Sequence, residues 1–178
     1  MELRMKKLTL LLTIILTSVF IVFGQPSSEN VKTDTSDKAV TKAAKTERVK
    51  FDPTRNAAAD LQEAITLAKK KNKRIILDVG GEWCGWCRLM DNYFLKNDSL
   101  SKLRDKNFIW VKINYSEENE NKEFLSAYPQ IPGYPHLYVL EKDGTFLYSK
   151  STSELEEGKS YNLQKFTDFL NEWSPKKK

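Results

Sequence analysis

The chain has 178 residues, 40% hydrophobic and 11% aromatic, enough for one packed domain with appendages. It carries 29 Lys and Arg against 24 Asp and Glu, a formal net charge of +5. Two cysteines exclude a scaffold stapled by several disulfides.

Arg4, Lys6 and Lys7 precede an apolar run from Leu8 to Phe23, interrupted by Thr9, Thr13, Thr17 and Ser18. Residues 1–24 therefore read as a secretory signal cut before Gln25, or as an uncleaved N-terminal anchor. Either exports the rest, as a periplasmic or secreted protein, with residues 8–23 as a membrane tether if the anchor is kept. Loss of residues 1–24 lowers the charge to +3, since three basic groups and one acid leave with them. The remaining basic runs, around Lys69 to Arg74 and at Lys176 to Lys178, are of the kind found at solvated helix ends and tails. No nucleic-acid partner is expected of an exported chain of this charge.

Residues 25–50 are rich in Ser, Thr, Lys, Asp and Ala, with little to bury, and are expected to form a flexible linker. A folded domain is expected over 51–174, with a basic tail at 175–178. Asp60 followed by Glu63 has the spacing of a capping box, and Leu61, Ala64, Ile65 and Ala68 fall on one helical face. Arg74 to Gly80 (RIILDVG) reads as a buried central strand. A helix opens near Cys87 and runs to Leu95, is interrupted at Asn97-Asp98-Ser99, and restarts with Leu100 and Leu103. Phe108 to Asn114 is a second strand, Glu117 to Tyr128 a polar helix, and Pro129 to Pro135 a loop. His136 to Leu140 and Phe146 to Lys150 make a hairpin around Asp143-Gly144. Asn162 to Trp173 closes the chain, with Leu163, Phe166, Phe169 and Leu170 on one face. Such an order predicts an α/β domain, a mixed sheet covered on both faces.

The two cysteines stand three apart, in GGEWCGWCRLM. Structural zinc wants four ligands, and one pair with the single His136 some fifty positions away falls short of that. An inert disulfide over so small a loop adds little chain-entropy stabilisation. A redox pair accounts for the flanks, because Cys84 falls where a strand ends and a helix begins. Unpaired N–H groups and the helix dipole there favour a thiolate, and Cys87, one turn on, can attack a mixed disulfide formed at Cys84.

The stretch ILDVGGEWCGWCRLM resembles the thioredoxin superfamily, and the resemblance extends over about residues 55–173. Gly133-Tyr134-Pro135 looks like that family's cis-proline loop, and Lys112 in VKIN matches a strand lysine near a buried aspartate, here Asp78. CRLMDNYFLKNDSL followed by NFIWVKIN looks more like exported thioredoxin-like domains of the thiol:disulfide interchange type than like thioredoxin itself.

The resemblance implies a thioredoxin fold, a central mixed β-sheet flanked by helices on both faces. It implies Cys84 as nucleophile, Cys87 as resolving thiol and Asp78 as a proton relay, the plainer alternative for Asp78 being an ion pair with Lys112. Trp83, Gly85, Trp86, Tyr134 and Pro135 would contact substrate, with Trp86 exposed between the cysteines and the Tyr134 backbone pairing an extended chain. Between the cysteines stands Gly85-Trp86, where thioredoxin has Gly-Pro, and Asn92 lies near the place of the family's helix-kinking proline. His136 follows the proline directly and either serves the thiol or starts a strand and points away. No cofactor and no metal are implied. The implied partners are substrate proteins with disulfides or thiols and a second thiol-redox protein, a membrane-embedded one among the candidates. The expected activity is reductase, with disulfide oxidase, isomerase or non-catalytic adaptor as alternatives.

Overall fold

In the computed structural model, residues 47–176 are described, so the expected signal or anchor, most of the linker and the last two lysines lie outside them. Helix α1 (Ala57–Lys71) leads into strand β1 (Arg74–Gly80). Helices α2 (Gly85–Lys96) and α3 (Asp98–Asn107) follow, then strand β2 (Phe108–Asn114) and the short helix α4 (Lys122–Leu125). Strands β3 (His136–Leu140) and β4 (Phe146–Ser151), a small hairpin of β5 (Glu156–Glu157) and β6 (Ser160–Tyr161), and helix α5 (Leu163–Glu172) complete the domain.

The main sheet has the order β2-β1-β3-β4. Strands β1 and β2 are parallel, with Asp78 opposite Lys112, whereas β3 pairs antiparallel with both β1 and β4. Alternation along β1 splits the core. Ile75, Leu77 and Val79 face the cluster built on Ala57, Ala64 and Ala68 of α1, while Ile76 faces Met90 and Phe94 of α2 and Phe166 and Leu170 of α5. Helices thus cover both faces of a mixed sheet, as a period-two strand with two apolar faces requires. Asp78 and Gly80 fall on the α2 face with Ile76, so one position of that core layer is a carboxylate.

Four expectations are corrected. Helix α1 starts a turn earlier than the capping box suggested: Asn56 is the cap, its side chain accepting from Ala59 N at 3.0 Å, and Ala57-Ala58-Ala59 supply the first turn. Asp60 is instead buried and paired with Arg55. The polar helix over 117–128 shrinks to α4. Its first part is tied down by Asn114, which donates to Ser116 Oγ at 3.0 Å and the Asn119 carbonyl at 2.9 Å, and Asn121 is left-handed at φ 47°. Leu163 is exposed rather than packed, because α5 turns Phe166, Phe169 and Leu170 inward. The β5–β6 hairpin was not foreseen, being too short to show a period. The hairpin turn is as read, with Gly144 at φ 92° where a left-handed residue is needed.

Candidate functional site

Strand β1 ends at Gly80, and Cys84 is the N-cap of α2. Its sulfur accepts from the backbone N–H of Cys87 at 3.1 Å, the place a Ser or Asp oxygen takes in other helices. Cys84 and Cys87 are joined in a disulfide, with their Cα atoms 5.2 Å apart. The two are not equivalent: Cys84 keeps 5% of its surface open and Cys87 none. Phe51 packs on both from one side, and Trp86 and Tyr134 pack from the others.

Gly80 lies directly beneath the inner sulfur. A Cβ built there comes 2.5 Å from Cys87 Sγ and 3.1 Å from Phe51 Cζ, both in a filled interior. Gly80→Ala is expected to destabilise the domain by about 1–3 kcal/mol through overpacking. Urea unfolding of the oxidised protein measures this, and an unchanged midpoint would contradict the packing described.

Behind the disulfide lies a charged cluster. Asp78 is fully buried, and its Oδ2 accepts from Lys112 Nζ at 2.9 Å and Trp110 Nε1 at 3.0 Å. Its Oδ1 is buried without a hydrogen-bond partner. Lys112 Nζ also donates to Asp91 Oδ1 at 2.7 Å and sits 3.9 Å from the centre of the Phe51 ring. Asp91 lies one turn after Cys87 on α2, on the helix face toward the sheet. Burial raises the Asp91 carboxyl and the Asp78 charge adds to this, while Lys112 opposes it. For Lys112 burial pulls downward, but Asp78 and Asp91 outweigh it and the ammonium is held above its usual range.

The outer lip is aromatic. Trp83 is 56% exposed, donates through Nε1 to the Tyr115 carbonyl at 2.7 Å, and meets the Tyr134 ring edge-on at 5.6 Å. Tyr134 stacks on Tyr115 with centroids 4.9 Å apart, and burial pushes its hydroxyl up to about 12. Trp83 and Tyr115 also line a recess of about 490 Å³ with Ser116, Glu117, Glu118 and Glu120. The Tyr134–Pro135 peptide is cis, Pro135 is buried, and its carbonyl accepts from Thr152 Oγ1 at 2.6 Å. Gly85 opens α2 in free space.

The structure gathers Cys84, Cys87, Trp83, Gly85, Trp86, Tyr134 and Pro135 at one end of the sheet, with Asp78 below. Trp86 differs from expectation. It is half-buried, its ring edge-on to Tyr161 at 5.5 Å and its carbonyl accepting from the Tyr161 hydroxyl at 3.3 Å. The unforeseen hairpin brings Tyr161 there, so exposure at the lip falls to Trp83 instead. Phe51, Arg48, Glu82 and Asp91 also escaped the sequence reading. Only Asp91 left a signal, its spacing of four from Cys87.

His136 points away from the thiol chemistry. It is 2% exposed, with Nε2 on Ser149 Oγ at 2.8 Å and Nδ1 buried without a partner. Burial lowers it to about 4. Protons then bind the unfolded chain more tightly than the folded one, so stability is full above the unfolded value near 6.5 and is lost as pH falls toward 4. The loss attributable to His136 is about 3 kcal/mol at the lower end. Denaturant midpoints of wild type and His136→Gln at pH 7 and pH 4 check it: the wild type should lose more, and equal losses would contradict the assignment.

Residues 56–142 match a family model described as thioredoxin-like. Over 69 residues the chain is 41% identical to spermatogenesis-associated protein 20 of Mus musculus, covering 39% of this chain and 9% of that protein. Over 87 residues it is 29% identical to thiol:disulfide interchange protein DsbD 2 of Pseudomonas aeruginosa, covering 48% of this chain and 14% of that one. The match thus spans a small part of either relative's length. The crystal structure of a disulphide isomerase from Xylella fastidiosa Temecula1 superposes with a TM-score of 0.59 at 28% identity, covering 68% of this chain and 94% of that chain. With a mixed sheet of this order, the cysteine pair at the start of α2 and the cis-proline loop beside it, the chain carries a thioredoxin-superfamily domain.

Proposed function

We propose that this protein is an exported thiol–disulfide oxidoreductase that reduces disulfides in substrate proteins through Cys84 and Cys87. The observation that carries the reading is the asymmetry of the pair: an outer sulfur capping a helix, an inner sulfur sealed one turn behind it. In the reduced protein the Cys84 thiolate attacks one sulfur of the substrate disulfide. That S–S bond breaks, a mixed disulfide forms at Cys84, and the departing substrate thiolate takes a proton. Cys87 then gives up its proton, for which the free oxygen of Asp78 is the acceptor we assign, and attacks Cys84 Sγ. The second substrate thiolate leaves, two electrons have passed to the substrate, and Cys84–Cys87 is closed.

Substrate approaches across Trp83, Gly85, Tyr134 and Pro135, with the Tyr134 backbone pairing an extended segment. A second thiol-redox protein, with a membrane-embedded one among the candidates, returns the electrons. Export rests on the basic and apolar character of residues 1–24. The reductase direction is favoured by the charges under the pair. Three carboxylates against two cations temper the thiolate that the start of α2 favours, and a couple whose reduced form is less stabilised is the more reducing. Equilibration with glutathione buffers tests the direction: a potential near that of thioredoxin supports a reductase, and one near the strongest oxidants overturns it. Insulin reduction by dithiothreitol, accelerated by the wild type, tests the activity itself.

A further inference from the structure

Arg48 lies 36 positions before Cys84, in a stretch whose composition reads as linker, yet its guanidinium is 16% exposed and committed to two carboxylates. Nη1 donates to Glu82 Oε1 at 2.8 Å, Nη2 donates to Glu82 Oε2, and Nη1 lies 3.3 Å from Asp91 Oδ2. Glu82 stands two residues before Cys84 and also accepts from the backbone N–H of Phe51 at 2.9 Å. Asp91 passes the contact to Lys112, and Lys112 to Asp78. The segment that brings Arg48 is therefore fastened to the site twice, through the ion pairs and through Phe51, whose ring touches both cysteines.

We propose that Arg48 is a positioning residue of the redox centre: docked on Glu82 and Asp91, it offsets their charge beneath Cys84 and so sets how readily the reduced thiol ionises. This rests on the redox reading given above. The five-membered cluster of Asp78, Glu82, Asp91, Lys112 and Arg48 carries a net charge of −1 with Arg48 in place and −2 without it. The Arg48 pair holds Glu82 ionised, pushed down to about 2, chiefly by their hydrogen bond. Asp91 has the opposite tendency because it is buried, and Lys112 and Arg48 counter it. The other titratable groups around the pair are Arg88, whose guanidinium donates to the Glu82 carbonyl, and the hydroxyls of Tyr115, Tyr134 and Tyr161. None of these supplies a second cation to Glu82 or Asp91. The segment that carries Arg48 and Phe51 is thereby part of the site.

The experiment is the pH profile of iodoacetamide alkylation at Cys84 in the reduced full chain. Wild type, Arg48→Met, Arg48→Lys and Glu82→Gln are compared, with near-ultraviolet circular dichroism as the fold control. Arg48→Met removes a positive charge, and its midpoint should rise by roughly one pH unit. Arg48→Lys should return most of that shift. Glu82→Gln removes a negative charge, and its midpoint should fall. Opposite signs for Arg48→Met and Glu82→Gln are the mark of an electrostatic role. Shifts of the same sign, or an Arg48→Met profile coincident with wild type, would overturn the proposal and leave a structural strap. If wild-type Cys84 itself alkylates no faster than free cysteine at mildly acidic pH, the redox reading fails first, and separately.

Discussion

Cys84→Ser is expected to abolish disulfide reduction, slowing insulin turbidity to the rate of dithiothreitol alone. Loss of the attacking nucleophile removes the first covalent step, an effect on the order of 10³-fold or more where catalysis runs through a covalent intermediate. Cys87→Ser should behave differently. Its Cys84 can still attack, but nothing opens the resulting mixed disulfide from within, so turnover stops after one event and the adduct accumulates. The asymmetry follows from burial: Cys87 has no exposed surface from which to replace Cys84 as the attacking thiol. Equal turbidity curves for wild type and Cys84→Ser would remove the enzyme reading and leave a binding module using the aromatic lip.

The largest expected effect on stability is at Lys112. Its ammonium bonds two carboxylates, one of them in a fully buried residue. Lys112→Met leaves Asp78 with only the Trp110 indole as donor and Asp91 with Arg48. A buried charge deprived of its counter-ion costs about 3–5 kcal/mol, a large share of the ~5–15 kcal/mol that holds a domain together. The variant also carries its own signature. With the cation gone, burial of Asp91 acts unopposed by Lys112 and raises its carboxyl further in the folded state, which then binds protons more tightly than the unfolded chain, so the deficit should narrow as pH falls from 7 toward 5. Asp78→Asn added to Lys112→Met should recover part of the loss, since a neutral amide needs no counter-ion. Urea unfolding at both pH values reads all three, and a Lys112→Met variant within about 1 kcal/mol of wild type at pH 7 would contradict the cluster described.

Much of this site was legible in the sequence, for physical reasons that differ by residue. Strand β1 could be read to the residue because a buried strand is a dense apolar run, and Gly80-Gly81 ends it. The pair Cys84–Cys87 and its place at a helix start followed from that boundary alone. The opposition of Asp78 and Lys112 came through the resemblance, and parallel pairing of β1 with β2 puts them side by side. Arg48 and Glu82 could not be read, because an ion pair over 34 positions leaves no periodicity in either segment. Trp86 was misplaced for a related reason. Whether an aromatic at the start of a helix faces solvent or packs depends on what covers it, and the covering residue, Tyr161, arrives from a two-residue strand that no pattern announces.

The outer sulfur, on Cys84, is the one expected to meet substrate. Reduced Cys87→Ser protein mixed with a disulfide-bonded peptide, then digested and weighed by mass spectrometry, puts that to a direct test. A one-to-one peptide adduct on Cys84 is predicted. No adduct, or an equal yield on Cys87 in the Cys84→Ser protein, would contradict it.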